Sequence, residues 1–137
     1  MKVLIDTSLW SLAFRRRPAD LSSSEQALVS RFRVLLREGR SALIGPVRQE
    51  ILTGIRDPAH FSGLRRDLGS FPDEPLATED FESAAEVSNR CRAAGVAGSP
   101  VDFLICSVSL RHGWEIFTTD KDFQRYAAVI ALKLFGE

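Results

Sequence analysis

The stretch Met1-Lys-Val-Leu-Ile-Asp-Thr-Ser-Leu-Trp10 decides the fold. Val3, Leu4 and Ile5 form an apolar, β-rich run without polar alternation. That is the pattern of a strand buried on both faces of a parallel sheet covered by helices. The run stops at Asp6, and Thr7 and Ser8 lead into a helix-like stretch that reaches Phe14. A carboxylate thus stands where a central strand ends and a helix begins, the edge at which open α/β sheets bind ligands. Asp is also a favoured N-cap, so taken alone Asp6 reads first as the cap of that helix. A functional role requires other acids converging on the same edge.

Working outward, Ser22-x-x-Glu25 has capping-box spacing. It opens a helix in which Ala27, Leu28, Phe32, Leu35 and Leu36 recur at helical spacing up to Gly39. Residues 41–44 form a second short apolar strand closed by Gly45-Pro46. Residues 47–52 then read as a short helix that carries Glu50 and ends at Gly54. Another helix is expected over 57–68, followed by a weak strand around Leu76-Ala77. Thr78 is placed to cap a helix over 79–94. Ser99-Pro100-Val101-Asp102 opens the most apolar helix, 101–110, with Asp102 in capping-box position to Ser99. Residues 115–119 form a strand that runs into Asp120-Lys121-Asp122. A short helix through Tyr126 and a last apolar strand over 128–135 complete the chain. Strands alternating with helices imply an α/β fold, a parallel sheet joined by right-handed crossovers. No repeat or linker divides the 137 residues, which read as one domain.

In that arrangement Asp6, Glu50, Asp102 and Asp120, with Asp122 beside it, all fall at the carboxyl-end edge of the sheet. Each has a structural reading of its own: Asp6 and Asp102 as caps, Glu50 as a surface acid, Asp120 and Asp122 as turn and cap residues. Together they carry more weight. Clustered carboxylates repel and raise one another's pKa, so a bound cation is what keeps them ionised. An all-oxygen donor set points to Mg²⁺ or Mn²⁺ rather than zinc. Such sites hold phosphate and activate water for in-line attack on phosphodiesters.

Composition narrows the field further. Eighteen basic residues balance 18 acidic ones, so overall charge does not mark a nucleic-acid binder. Fifteen of the basic residues are Arg, the better fork for phosphate, although a coding bias gives the same count. Arg15-Arg16-Arg17 follows the first helix, where it can meet RNA or a protein partner or stay solvated. Cys91 and Cys106 form no paired motif and read as reduced, buried thiols. His60 and His112 are too far apart in sequence to make a paired zinc site. No apolar run approaches the roughly 20 residues of a membrane span, and no secretory signal is visible, so a cytoplasmic, membrane-free protein is expected.

The segments KVLIDTSLW, Glu50-Ile-Leu-Thr-Gly54, the helix-borne Asp102 and TTDKDF together resemble a PIN-domain protein, nearest to the VapC-type toxin ribonucleases of bacterial toxin–antitoxin pairs. The resemblance spans nearly the whole chain. It implies a central parallel sheet of about five strands flanked by helices. It also implies Mg²⁺- or Mn²⁺-dependent endonucleolytic cleavage of RNA. Asp6 and Asp102 would be the main metal ligands, with Glu50 and Asp120 completing the quartet. Thr118 matches the hydroxyl that precedes the last acid, and Asp122 and Ser8 would be auxiliary. The resemblance further implies a homodimer and a cognate, VapB-like antitoxin that covers the acidic pocket, often with an inserted basic side chain. The sequence departs from the usual pattern after Asp102, where Phe-Leu-Ile-Cys replaces small residues.

Two other readings are weighed against this one. A PIN-like scaffold without activity would bind RNA or a partner only, and the complete quartet argues against it. A phosphoacceptor receiver domain would need an Asp ending its third strand and a Lys ending its last. Here the middle acid is Glu50 on a helix, and Lys133 lies within the last expected strand.

Overall fold

The structure is a computed structural model that describes residues 1–136. Val3–Ile5 (β1) runs between Ser41–Ala42 (β2) and Glu115–Phe117 (β3) as the middle strand of a parallel sheet. Val3 pairs with Ser41 and Glu115, Leu4 with Ala42 and Ile116, and Ile5 with Phe117. All three β1 side chains are buried, as an apolar run covered on both faces requires.

Thr7–Trp10 (α1) follows β1 directly and widens into a π turn over Ser11–Arg15. A 3-10 turn at Pro18–Asp20 precedes Ser23–Arg37 (α2), whose capping box forms as expected. The Glu25 amide donates to Ser22 Oγ at 3.2 Å, and the Ser22 amide donates to Glu25 Oε1 at 2.9 Å. Gly45–Leu52 (α3) and Pro58–Leu68 (α4) follow β2, and Thr78–Ala93 (α5) and Pro100–His112 (α6) lead to β3. Asp122–Ala127 (α7) closes the set.

Five strands were expected and the described residues form three. The two outer positions are single bridges, Asp73 to Leu43 at one edge and Leu134 to Ile116 at the other, both parallel. The first lies at Asp73 rather than at Leu76-Ala77, and Pro72 and Pro75 on either side lack the N–H groups a longer ladder would need. At the second, the run expected as a strand from residue 128 instead continues the turn of α7. Ala128 and Ile130 donate back to Gln124 and Tyr126, as Ala-rich sequence favours. Only then do Lys133 O and Phe135 N bond to Ile116. Thr78 is also the first helical residue of α5 rather than its cap. Asp80 supplies the local bond, its Oδ2 accepting from the Ala77 amide at 2.8 Å.

Packing fixes where α1 and α6 begin, and so where their acids sit. Trp10 is fully buried among Phe14, Phe32 and Phe71, with its ring edge-on to Phe32 at 4.8 Å. Burying rings and aliphatic chains of this size stabilises the fold by about 1.5–3 kcal/mol each, which pins the first turn after Asp6. Around α6, Phe103 packs on Tyr126, which in turn meets Phe123. Arg111 near the end of α6 holds the buried Asp80 of α5 through two bonds, 2.6 Å to Oδ1 and 2.8 Å to Oδ2. Those bonds keep the Asp80 carboxyl below the ordinary carboxylate value. Both cysteines are buried free thiols, and burial pushes the Cys106 thiol far up, away from reactivity.

Candidate active site

The chain leaves β1 toward β2 on one side and returns to β3 on the other. The order in which strands are added therefore reverses at β1, between β1 and β3, which is where open α/β sheets place their sites. Asp6 and Thr118 are the first residues beyond those two strands. Thr118 Oγ1 donates to Asp6 Oδ2 at 2.7 Å, and Ser8 Oγ donates to the same oxygen at 2.8 Å. Asp6 occupies the N-cap position of α1, yet its carboxylate makes no capping hydrogen bond. The capping role that its sequence position suggests is thus not what its side chain does. Asp6 is 5% exposed, and burial raises its pKa. The Thr118 and Ser8 hydroxyls, and the nearby Thr7 and Ser8 amides, work in the opposite direction.

The same two hydroxyls extend the network to the loop after β3. Ser8 Oγ accepts from the Thr119 amide at 3.1 Å, and Thr118 Oγ1 accepts from the Asp120 amide at 2.9 Å. Asp120 Oδ1 accepts from the Asp122 amide at 2.9 Å, the turn-forming bond its position suggests. Glu50, one turn into α3, is reached by Thr7, whose Oγ1 donates to Oε1 at 2.6 Å.

Asp102 arrives from the start of α6. The Ser99 hydroxyl accepts from the Asp102 amide at 3.2 Å, so the Ser99 half of the expected capping box is present. The Asp102 carboxylate instead accepts a hydrogen bond at Oδ2 from Tyr126 Oη at 2.7 Å. Its pKa is raised, chiefly by burial and further by the Asp6 and Asp120 charges, against the lowering effect of the Tyr126 and Ser99 hydroxyls. Burial and the Asp102 carboxylate push the Tyr126 phenol up.

These side chains line one open cleft of about 830 Å³ that brings together Asp6, Glu50, Asp102, Asp120 and Asp122. One oxygen each from Asp102, Asp120 and Asp122 lies within 4.8 Å of the others. Asp122, expected only as an auxiliary, thus stands with Asp102 and Asp120, and Asp6 and Glu50 belong to the same lining. Ser8 lines the cleft too, and Thr118 supports it through Asp6.

Arg125 is the basic residue of the lining, and its guanidinium pairs with Asp122. Arg15, Arg16 and Arg17 do not line the cleft. Arg16 pairs with Glu25 and Arg17 with Asp20, near a separate hollow beside α2. Neither histidine lines the cleft, and His112 stacks on Trp114 with ring centres 3.9 Å apart.

Sequence reasoning missed Thr7, Tyr126 and Arg125. The available signal was helical spacing, because Asp122 and Tyr126 are four residues apart and share one face of α7.

The PIN domain family model matches residues 3–129. The chain belongs to the PIN-domain family. Among relatives of this PIN-domain protein are VapC ribonuclease Mb1587 of Mycobacterium bovis and ribonuclease VapC11 of Mycobacterium tuberculosis. Each is 32% identical over 137 residues, covering 96% of this chain and 96% of the relative. A crystal structure of FitAcB from Neisseria gonorrhoeae matches this PIN-domain chain with a TM-score of 0.73 at 17% identity. It covers 98% of this chain and 96% of that one, a likeness of fold. No helix among the described residues is long and apolar enough to cross a membrane.

Proposed function

We propose that this PIN-domain protein is a VapC-type endoribonuclease that uses Mg²⁺ or Mn²⁺ to hydrolyse RNA phosphodiesters, and that it acts as the toxin of a toxin–antitoxin pair. One observation carries the reading: five carboxylates from four separate segments of the chain meet in one open cleft, against a single guanidinium in its lining. Carboxylate oxygens as close as those of Asp102, Asp120 and Asp122 repel unless a counter-charge lies among them. The donors are hard oxygens, which suit Mg²⁺ or Mn²⁺ and disfavour zinc. The residues present therefore fit a divalent cation, which Asp102, Asp120 and Asp122 would hold, with Asp6 and Glu50 of the same cleft completing the set. When bound, such a cation supplies Lewis acidity at a scissile phosphate.

The chain's own residues do the remaining work. Thr118 and Ser8 fix the Asp6 carboxylate and favour its ionised form inside a buried setting. Thr7 holds Oε1 of Glu50, fixing this carboxylate at the cleft, where it helps to hold the cation or orients the attacking water. Arg125 sits at the lining to receive a backbone phosphate. The whole chain, residues 1–137, acts as one nuclease domain and pairs as a homodimer. A cleft this acidic is complementary to a basic side chain, so the proposed partner is a VapB-like antitoxin that places one there.

Incubating the purified chain with tRNA and mRNA in Mg²⁺ or Mn²⁺ tests the reading. Discrete fragments that EDTA prevents are expected. Intact RNA in a sample shown to bind Mn²⁺ would instead identify a binding scaffold without catalysis.

A further inference from the structure

We propose that Tyr126 is a positioning residue for Asp102, a neutral donor that fixes the carboxylate plane at the cation site; this rests on the nuclease reading above. Tyr126 is fully buried in α7, and its Oη lies 2.7 Å from Asp102 Oδ2. The same helix delivers Asp122, four residues earlier on the same face, into the oxygen group that includes Asp102. α7 therefore holds Asp102 at one point and adds a carboxylate next to it.

Gly98 supplies the independent observation. A Cβ built on Gly98 would lie 2.4 Å from Tyr126 Oη, 2.8 Å from Tyr126 Cζ and 2.6 Å from Phe103 Cζ. Gly98 is not among the glycines with positive φ, so its missing side chain answers to space and not to backbone conformation. The loop before α6 is built to let the phenol reach Asp102. Phe103 and Phe123 pack against the ring and hold it there.

The type of donor matters. Lysine or arginine at this place would neutralise Asp102 and compete with the cation, whereas a phenol orients the carboxylate and leaves its charge in the cleft. A hydrogen bond behind a ligand typically governs metal affinity more than it governs folding. Tyr126→Phe keeps the packed ring and deletes only the hydroxyl, which separates the two effects.

The experiment is Mn²⁺ binding to the cation-free full chain by calorimetry, beside thermal melting and RNA cleavage across Mn²⁺ concentrations. Tyr126→Phe is expected to melt within a few degrees of the wild type while binding Mn²⁺ about tenfold more weakly. Its cleavage should recover at saturating Mn²⁺. Gly98→Ala reaches the same hydroxyl from the other side and is expected to weaken Mn²⁺ binding as well. Wild-type affinity in folded Tyr126→Phe would overturn the proposal and leave the nuclease reading standing. Absence of Mn²⁺ binding by the wild type would overturn both.

Discussion

The hydroxyl of Thr118 donates to Oδ2 of Asp6 at 2.7 Å, joining residues 112 apart in sequence at the ends of two neighbouring parallel strands. Asp6 is buried with its pKa raised, so this bond is one of the few interactions that favour its ionised form. Thr118→Val keeps the shape and removes the donor. Cleavage is expected to fall about tenfold, and the acid limb of its pH–rate profile is expected to move to higher pH. An unchanged profile would show that Thr118 does not tune Asp6.

Asp6→Asn removes a carboxylate from a site that already disfavours its charge. The cation-free protein is expected to be more stable than the wild type in urea unfolding, because a buried charge beside other carboxylates is removed. Cleavage is expected to drop about 100-fold or more. Stability and activity thus move in opposite directions, the mark of a site that stores repulsion for function.

The pH dependence follows with a definite sign. Asp6 and Asp102 lie above their ordinary value of 3.8, so the folded chain binds their protons more tightly than the unfolded chain does. Without divalent cations, stability should therefore rise as pH falls from neutrality toward 3.8. Asp80 lies below that value, and its stabilising contribution is lost only as pH falls further. The cation-free melting temperature is expected to rise as the pH is lowered from neutrality, with Mn²⁺ stabilising the neutral-pH protein most. A monotonic fall from neutrality would contradict the raised pKa of both acids.

The chain's first ten residues made much of this legible. An apolar run ending in Asp could be read as a central strand because burial on both faces leaves a pattern along the sequence itself, and Asp6 fell where expected. Asp102 was legible through Ser99 and Pro100, and Asp120 through the strand before it. The sheet edges were not. Whether Asp73 or Leu76 meets Leu43 depends on prolines and on a partner strand far away in the chain. Tyr126 was expected on a short helix, but its role lies in a bond to Asp102 on another helix, a pairing that no local pattern carries.

Gly98→Ala tests the tight approach of the loop to α7. The added methyl meets Tyr126 and Phe103 well inside contact distance. A loss of about 1–3 kcal/mol in urea unfolding is expected, the usual cost of overpacking. Neutral behaviour would mean that the loop can move away freely.

Arg125 competes for Asp122, with which it pairs at the cleft. Arg125→Ala is expected to tighten Mn²⁺ binding about two- to fivefold, in keeping with an exposed ion pair, while weakening RNA binding. Weaker Mn²⁺ binding would assign Arg125 a supporting role at the site instead.

The most direct measurement follows RNA cleavage and Mn²⁺ binding on the same samples, for the wild type and Asp6→Asn, with EDTA as the blank. Cleavage and occupancy are expected to rise together in the wild type, with cleavage lost in EDTA and reduced about 100-fold or more in Asp6→Asn. Cleavage at the wild-type rate in either would place the chemistry outside this acidic cleft.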